Sequence, residues 1–234
     1  MTLLKQIPNL ITLSNLSCGL ISIFILIQSS YSPTEKLSII TYLMLLGMFF
    51  DFFDGFLARI LKAYSDIGKQ LDSLADMVTF GVLPSCFFYQ LFQIYQPQSK
   101  FQFISLLLAV FACWRLAKFN IDTKQTKNFI GLPTPAMALW VIGLYYISKN
   151  SFFNWILSEW SLVFHSILLS FLMVLPIDLF SLKLNGFGFK ENKLQYFLLV
   201  LSLILLITFQ LQAFVLILMS YILLSILFLL SVPE

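Results

Sequence analysis

Eight apolar stretches joined by short polar connections constrain this chain more than any other feature, since a helix needs about 20 apolar residues to cross a bilayer. They fall at about residues 9–28, 37–61, 70–95, 101–121, 131–148, 160–181, 193–210 and 213–232. A helix satisfies its own backbone in hydrocarbon. Uninterrupted runs such as Phe197 to Phe209 lack the alternation a membrane β-barrel requires. The expected fold is all-α, a polytopic membrane helix bundle of about eight transmembrane helices. Only 11% of the residues are charged, against roughly 25% in soluble chains. No polar stretch is long enough to fold separately, so residues 1–234 read as a single integral membrane domain. Its core is expected at about 1–181, with two additional helices at about 193–232. The first apolar run continues through Ile27 without a small-residue cleavage site and reads as a retained span.

The basic residues set the orientation. With the N-terminus inside, eleven of the fourteen Lys and Arg fall on cytoplasmic segments: Lys5, Arg59, Lys62, Lys69, Arg115, Lys118, Lys124, Lys127, Lys183, Lys190 and Lys193. Lys36, Lys100 and Lys149 lie opposite. Positive residues favour the cytoplasmic side, so both termini are expected there. Scattered in this way, the basic residues form no stripe that would bind nucleic acid. Cys18, Cys86 and Cys113 sit in apolar blocks with no CxxC spacing and read as free thiols. The lone histidine, His165, has no acidic neighbour in sequence and reads as a packing or hydrogen-bonding residue.

Five of the eleven acidic residues fall between positions 51 and 77, in DFFDGFLARILKAYSDIGKQLDSLADM. Carboxylates at membrane depth are costly and mark function by default. Asp51 and Asp54, at i and i+3, share a face of the second helix, and Asp72 and Asp76, at i and i+4, share a face of the third. The short linker makes the two helices antiparallel, so four carboxylates can converge. Such a cluster needs cations, and an all-oxygen ligand set selects Mg²⁺, Mn²⁺ or Ca²⁺. Metals held at a membrane surface suit chemistry on phosphate. Gly55 and Gly68 leave bare backbone that a phosphate or nucleotide can approach, and Arg59 can pair with a diphosphate oxygen. The plainer alternative is interfacial carboxylates paired with Arg59, Lys62 and Lys69, with Asp66 a solvated turn residue.

The pattern Asp51-x2-Asp54-Gly55-x2-Ala58-Arg59-x8-Gly68-x3-Asp72-x3-Asp76 resembles the motif of the CDP-alcohol phosphatidyltransferases at every defined position. The resemblance implies transfer of a phosphatidyl or related group from a CDP-linked donor to an alcohol, with release of CMP. It also implies that Asp51, Asp54, Asp72 and Asp76 hold two divalent metals, Mg²⁺ or Mn²⁺. Gly55, Ala58, Arg59 and Gly68 would line the site for the CDP moiety, and Asp76 would be the catalytic base. It further implies a homodimer.

IPNLITLSNLSCGL (7–20), QLDSLADMVTFGVLPS (70–85), WRLAKFNI (114–121) and FIGLPTPAMA (129–138) are similar to the phosphatidylserine synthase branch of that family. This implies CDP-diacylglycerol as donor and L-serine as acceptor, in phospholipid biosynthesis at a bacterial inner membrane, with the active site facing the cytoplasm. From the residues themselves, Arg115 and Lys118 share a helix face at i and i+3 and can hold a serine carboxylate, with Asn120 adding hydrogen bonds. Lys118 stands where the branch often has Arg, which keeps the charge without the bidentate fork. Glycerol 3-phosphate and inositol or its phosphate remain alternative acceptors. From another class, a cation-binding membrane transporter would also use intramembrane acids, although these cluster at one interface and do not extend across the bilayer.

Overall fold

Helix α1 (Ile7–Ile27) carries Pro8 in its first turn, where amide hydrogens have no intrahelical acceptor to lose. The computed structural model describes residues 6–28, 30–121, 129–149, 151–180, 188 and 192–231. Lys5, Lys124, Lys127, Lys183 and Lys190 of the charge argument lie outside the described residues.

Helix α2 (Pro33–Ile60) starts four residues ahead of its apolar run. Ser32 and Glu35 form a reciprocal capping box, the Ser32 amide donating to Glu35 Oε2 at 2.9 Å. Helix α3 (Asp66–Asp76) likewise begins in polar sequence, because Ser65 caps it by accepting from the Gly68 amide at 3.0 Å. It passes through a π-helical turn, Met77–Val82, into α4 (Leu83–Tyr95). After a 3₁₀ turn at Gln102–Ser105 come α5 (Leu106–Ile121), β1 (Phe129–Ile130), α6 (Thr134–Ile147) and α7 (Glu159–Val174). A pair of residues, β2 (Asp178–Leu179), pairs antiparallel with β1. Helices α8 (Lys193–Phe209) and α9 (Ala213–Ser231) complete the order.

The protein is thus a polytopic membrane helix bundle. Among the described residues, five stretches are long and apolar enough to cross a membrane, and α6 and α7 are shorter apolar helices. The last of the five, Lys193–Phe228, is not one straight helix. It reverses at Gln210, whose φ is +51°, so that Leu194 and Leu198 of α8 cluster with Tyr221 and Leu224 of α9. The sixth span is shorter than its apolar run, because the helix stops before Pro176, which has no amide to donate. Residues beyond it run to β2, and just after that strand the Phe180 carbonyl accepts from the Tyr221 hydroxyl at 2.9 Å.

A buried aromatic core forms around Phe80, Phe87, Phe88, Phe92 and Tyr145. Serine and threonine hydroxyls inside the helices donate to their own preceding turns, as Ser22 does to the Cys18 carbonyl and Thr41 to that of Leu37. His165 Nδ1 lies 2.8 Å from the Ser161 carbonyl oxygen, a local hydrogen-bonding role. The three cysteines are free thiols.

Glycines set the closest helix approaches. A Cβ on Gly19 would lie 2.6 Å from Thr79 Oγ1 and one on Gly47 2.8 Å from Thr79 Cγ2, so α1 and α2 clamp the π-helical turn between bare backbones. Gly131, at φ +73°, is pressed against the Met173 carbonyl oxygen, 2.5 Å from where a Cβ would stand. Gly131→Ala combines a left-handed penalty with overpacking against backbone. It is expected to cost about 2–5 kcal/mol, seen as a lowered unfolding temperature in detergent.

Candidate active site

The site is built at the turn between α2 and α3. Lys62 takes φ +48°, and the Ala63 amide reaches back to the Ala58 carbonyl at 2.9 Å. This is a left-handed helix stop that reverses the chain. With Ser65 capping α3 immediately afterwards, α2 and α3 both pack on α1 and their carboxylates come within reach of one another. Asp51, Asp72 and Asp76 each offer an oxygen within 4.8 Å of the other two. Asp54 is 5% exposed and accepts a hydrogen bond from Thr12 Oγ1 of α1 at 2.5 Å. The four expected aspartates therefore meet at one locus, three as a tight cluster and the fourth on the cavity side.

That cavity, about 530 Å³, is lined by Thr12, Asp54, Gly55, Ala58, Gly68 and Asp72 among others. Gly55 is free to face a ligand, because a Cβ there would meet only Arg59 Nη2 at 3.9 Å. Gly68 is bare for packing, its Cβ position lying 3.0 Å from both Asn9 Oδ1 and Ser65 Oγ. Arg59 is exposed and folds along its own helix, Nε donating to the Gly55 carbonyl at 3.0 Å. Its guanidinium therefore stands at the rim of the site.

Surface pairing does not account for the acidic cluster. Lys69 Nζ donates to the Asn120 carbonyl at 2.7 Å, and Lys62 is exposed. Among the described residues no ion pair joins Arg59, Lys62 or Lys69 to the four aspartates. Three carboxylates this close repel one another unless a cation sits among them. The all-oxygen donor set fits a hard divalent ion. Asp66 is exposed, as expected, but opens α3 at the cavity mouth.

Helix α5 brings Arg115 to the cluster. The guanidinium is in electrostatic range of Asp76, and its Nε is buried with no hydrogen-bond partner. Lys118 is exposed. Asn120 ties α5 to α3, its side-chain oxygen accepting from Ser73 at 3.0 Å and its backbone oxygen from Lys69. Of the three residues expected for the acceptor, only Arg115 presents an unpaired buried donor.

Sequence reasoning passed over the α1 face. Thr12 holds Asp54, and Asn15 Nδ2 donates to Asp76 Oδ1 at 3.3 Å. The signal was present: Asn9, Thr12 and Asn15 recur at i, i+3 and i+6 in an apolar helix, a polar stripe that points inward.

Fold and site together define an integral membrane protein with a cluster of carboxylates, able to hold a metal ion, beside a ligand-sized cavity at one end of its helices. The profile of the CDP-alcohol phosphatidyltransferase family matches residues 5–172, and the chain belongs to that family. It is 42% identical over 136 residues to the CDP-diacylglycerol–serine O-phosphatidyltransferase of Bacillus subtilis, a match covering 56% of this chain and 71% of that protein. The enzyme of that name from Helicobacter pylori strain J99 is 36% identical over 137 residues, covering 58% of this chain and 55% of the relative. Archaetidylserine synthase of Methanothermobacter thermautotrophicus is 33% identical over 178 residues, covering 74% and 68%. The chain thus spans between 55% and 71% of these relatives' lengths.

Proposed function

We propose that this protein transfers the phosphatidyl group of CDP-diacylglycerol to L-serine, giving phosphatidylserine and CMP. The observation that carries the chemistry is the convergence of Asp51, Asp72 and Asp76 within 4.8 Å beside a cavity floored by Gly55 and Gly68. The names of the relatives support serine as the acceptor. Asp51, Asp54, Asp72 and Asp76 would hold divalent metal, two ions of Mg²⁺ or Mn²⁺ by the family resemblance, which when bound offsets negative charge on the diphosphate. The bare backbone of Gly55 and the small Ala58 and Gly68 admit the CDP moiety, with Arg59 at the rim to pair with it.

Asp76 accepts the proton of the serine hydroxyl as its oxygen attacks the phosphatidyl phosphorus. The bond to CMP breaks and CMP leaves with the electron pair. Carboxylates carried on two helices fix the line of attack. Arg115, with a buried unpaired donor beside Asp76, is the group we assign to the serine carboxylate. Lys118 adds positive charge at the helix end, and Asn120 holds α5 in place. The basic asymmetry of the sequence supports a cytoplasmic orientation for this end of the bundle, which we assign to a bacterial inner membrane, so that acyl chains stay in lipid while serine arrives from water. We take residues 1–234 as one domain, with the α8–α9 hairpin lying beyond the family match. The same resemblance supports a homodimer.

The test is to incubate purified protein with CDP-diacylglycerol, Mn²⁺ and L-serine and identify the lipid product by mass spectrometry. Arg115→Ala is expected to raise KM for serine by about 10- to 100-fold, the loss of a charged hydrogen-bonding group, with KM for CDP-diacylglycerol unmoved. Unchanged serine kinetics would remove Arg115 from the acceptor site.

A further inference from the structure

We infer that Asn15 is a positioning residue for Asp76, holding the carboxylate in its working orientation without touching substrate. The inference rests on the reaction proposed above, in which Asp76 takes the acceptor's proton. Asn15 is fully buried in α1, 61 residues from Asp76 in sequence, and its Nδ2 donates to Asp76 Oδ1 at 3.3 Å. Two contacts hold Asn15 itself. Its backbone oxygen accepts from Thr79 Oγ1 at 3.1 Å, in the π-helical turn that directly follows Asp76. Its side-chain oxygen faces Gly47 of α2, where an added Cβ would lie 3.1 Å away.

The orientation of the amide is therefore unique. A flipped carboxamide would set its oxygen against a carboxylate oxygen, acceptor against acceptor. In the observed orientation Asn15 Oδ1 is buried with no hydrogen-bond partner. A buried unsatisfied acceptor costs stability, so an apolar residue of similar size would serve packing better. Local rules are broken in this way at functional sites. What Asn15 supplies is the donor: one Asp76 oxygen is fixed by α1, and the plane of the carboxylate is set relative to Asp51 and Asp72 across the cluster. Outer partners that orient a ligating carboxylate typically account for 10- to 100-fold in activity. Gly47 and Gly19 then have a shared purpose, since both give α1, α2 and the π-helical turn room to hold Asn15 and Thr79 in register.

The experiment compares wild type, Asn15→Leu and Thr79→Val for CMP release at saturating CDP-diacylglycerol, L-serine and Mn²⁺, together with thermal unfolding in detergent. Expected for Asn15→Leu is a kcat lower by about 10- to 100-fold, KM for both substrates unchanged, and an unfolding temperature no lower than wild type. A residue that merely packs would show the reverse, a lower unfolding temperature with kcat retained in the folded fraction, and that result overturns the inference. Thr79→Val, a near-isosteric change, is expected to lower kcat severalfold by loosening Asn15. It decides the matter if Asn15→Leu fails to fold, and unchanged kcat there counts against the inference. An active wild type with an equally active Asn15→Leu defeats the inference alone, whereas a wild type that releases no CMP defeats the proposed reaction and the inference with it.

Discussion

Asp76→Asn is expected to abolish CMP release while leaving the protein folded. Loss of a positioned general base costs about 10²- to 10⁴-fold, and Asp76 is also one of three clustered carboxylates. Asparagine keeps the shape and an oxygen that can still accept from Asn15 Nδ2, so the packing of α1 against α3 survives. The substitution also removes one negative charge from three lying within 4.8 Å of one another. The unfolding temperature in metal-free buffer is therefore expected to hold or rise. Activity and stability moving in opposite directions is the signature of a site held together for chemistry. A cation transporter using the same aspartates would lose transport with no CMP involved at all.

Removing divalent metal is the second large effect. Exhaustive chelation is expected to reduce CMP release by at least about 10³-fold, the several kcal/mol that a metal supplies to phosphoryl chemistry. Mn²⁺ or Mg²⁺ should restore it, because the donors are all carboxylate oxygens with no His or Cys in the cluster. The same ions are expected to raise the unfolding temperature, since a ligand bound only by the native state stabilises it. Asp54 offers an internal comparison. Thr12 already occupies one of its oxygens, so Asp54→Asn should raise the metal concentration needed for half activity. Full turnover in chelator, with unchanged stability, would remove metal from the account.

Much of this was legible in the sequence because membrane helices and their acids obey local rules. Among the described residues the apolar runs became helices, the sixth only as far as Val174, and the break between α8 and α9 fell at Gln210–Gln212, where polar residues interrupt the run. Spacing alone put Asp51 and Asp54, then Asp72 and Asp76, on shared faces, and the short linker brought the faces together. What was not legible depends on partners far along the chain. The π-helical turn at Met77–Val82 has no local composition signal, and its close packing, with Thr79 between Gly19 and Gly47, involves residues far along the chain. Asn120 reads as a substrate ligand from its position near Arg115, and its bonds to Ser73 and Lys69 on α3 are not visible in that spacing. The starts of α2 and α3 were placed late because hydropathy ignores caps, although Ser32-x2-Glu35 and Ser65 were there to be read.

The central claim is phosphatidyl transfer to serine, and the most direct measurement is CMP release by the purified protein with CDP-diacylglycerol and Mn²⁺, comparing L-serine, glycerol 3-phosphate and inositol as acceptors. Metal-dependent release with L-serine alone is the predicted result. Release with glycerol 3-phosphate or inositol in place of serine would keep the aspartate chemistry and contradict the acceptor, and no release with any of the three would contradict the reaction itself.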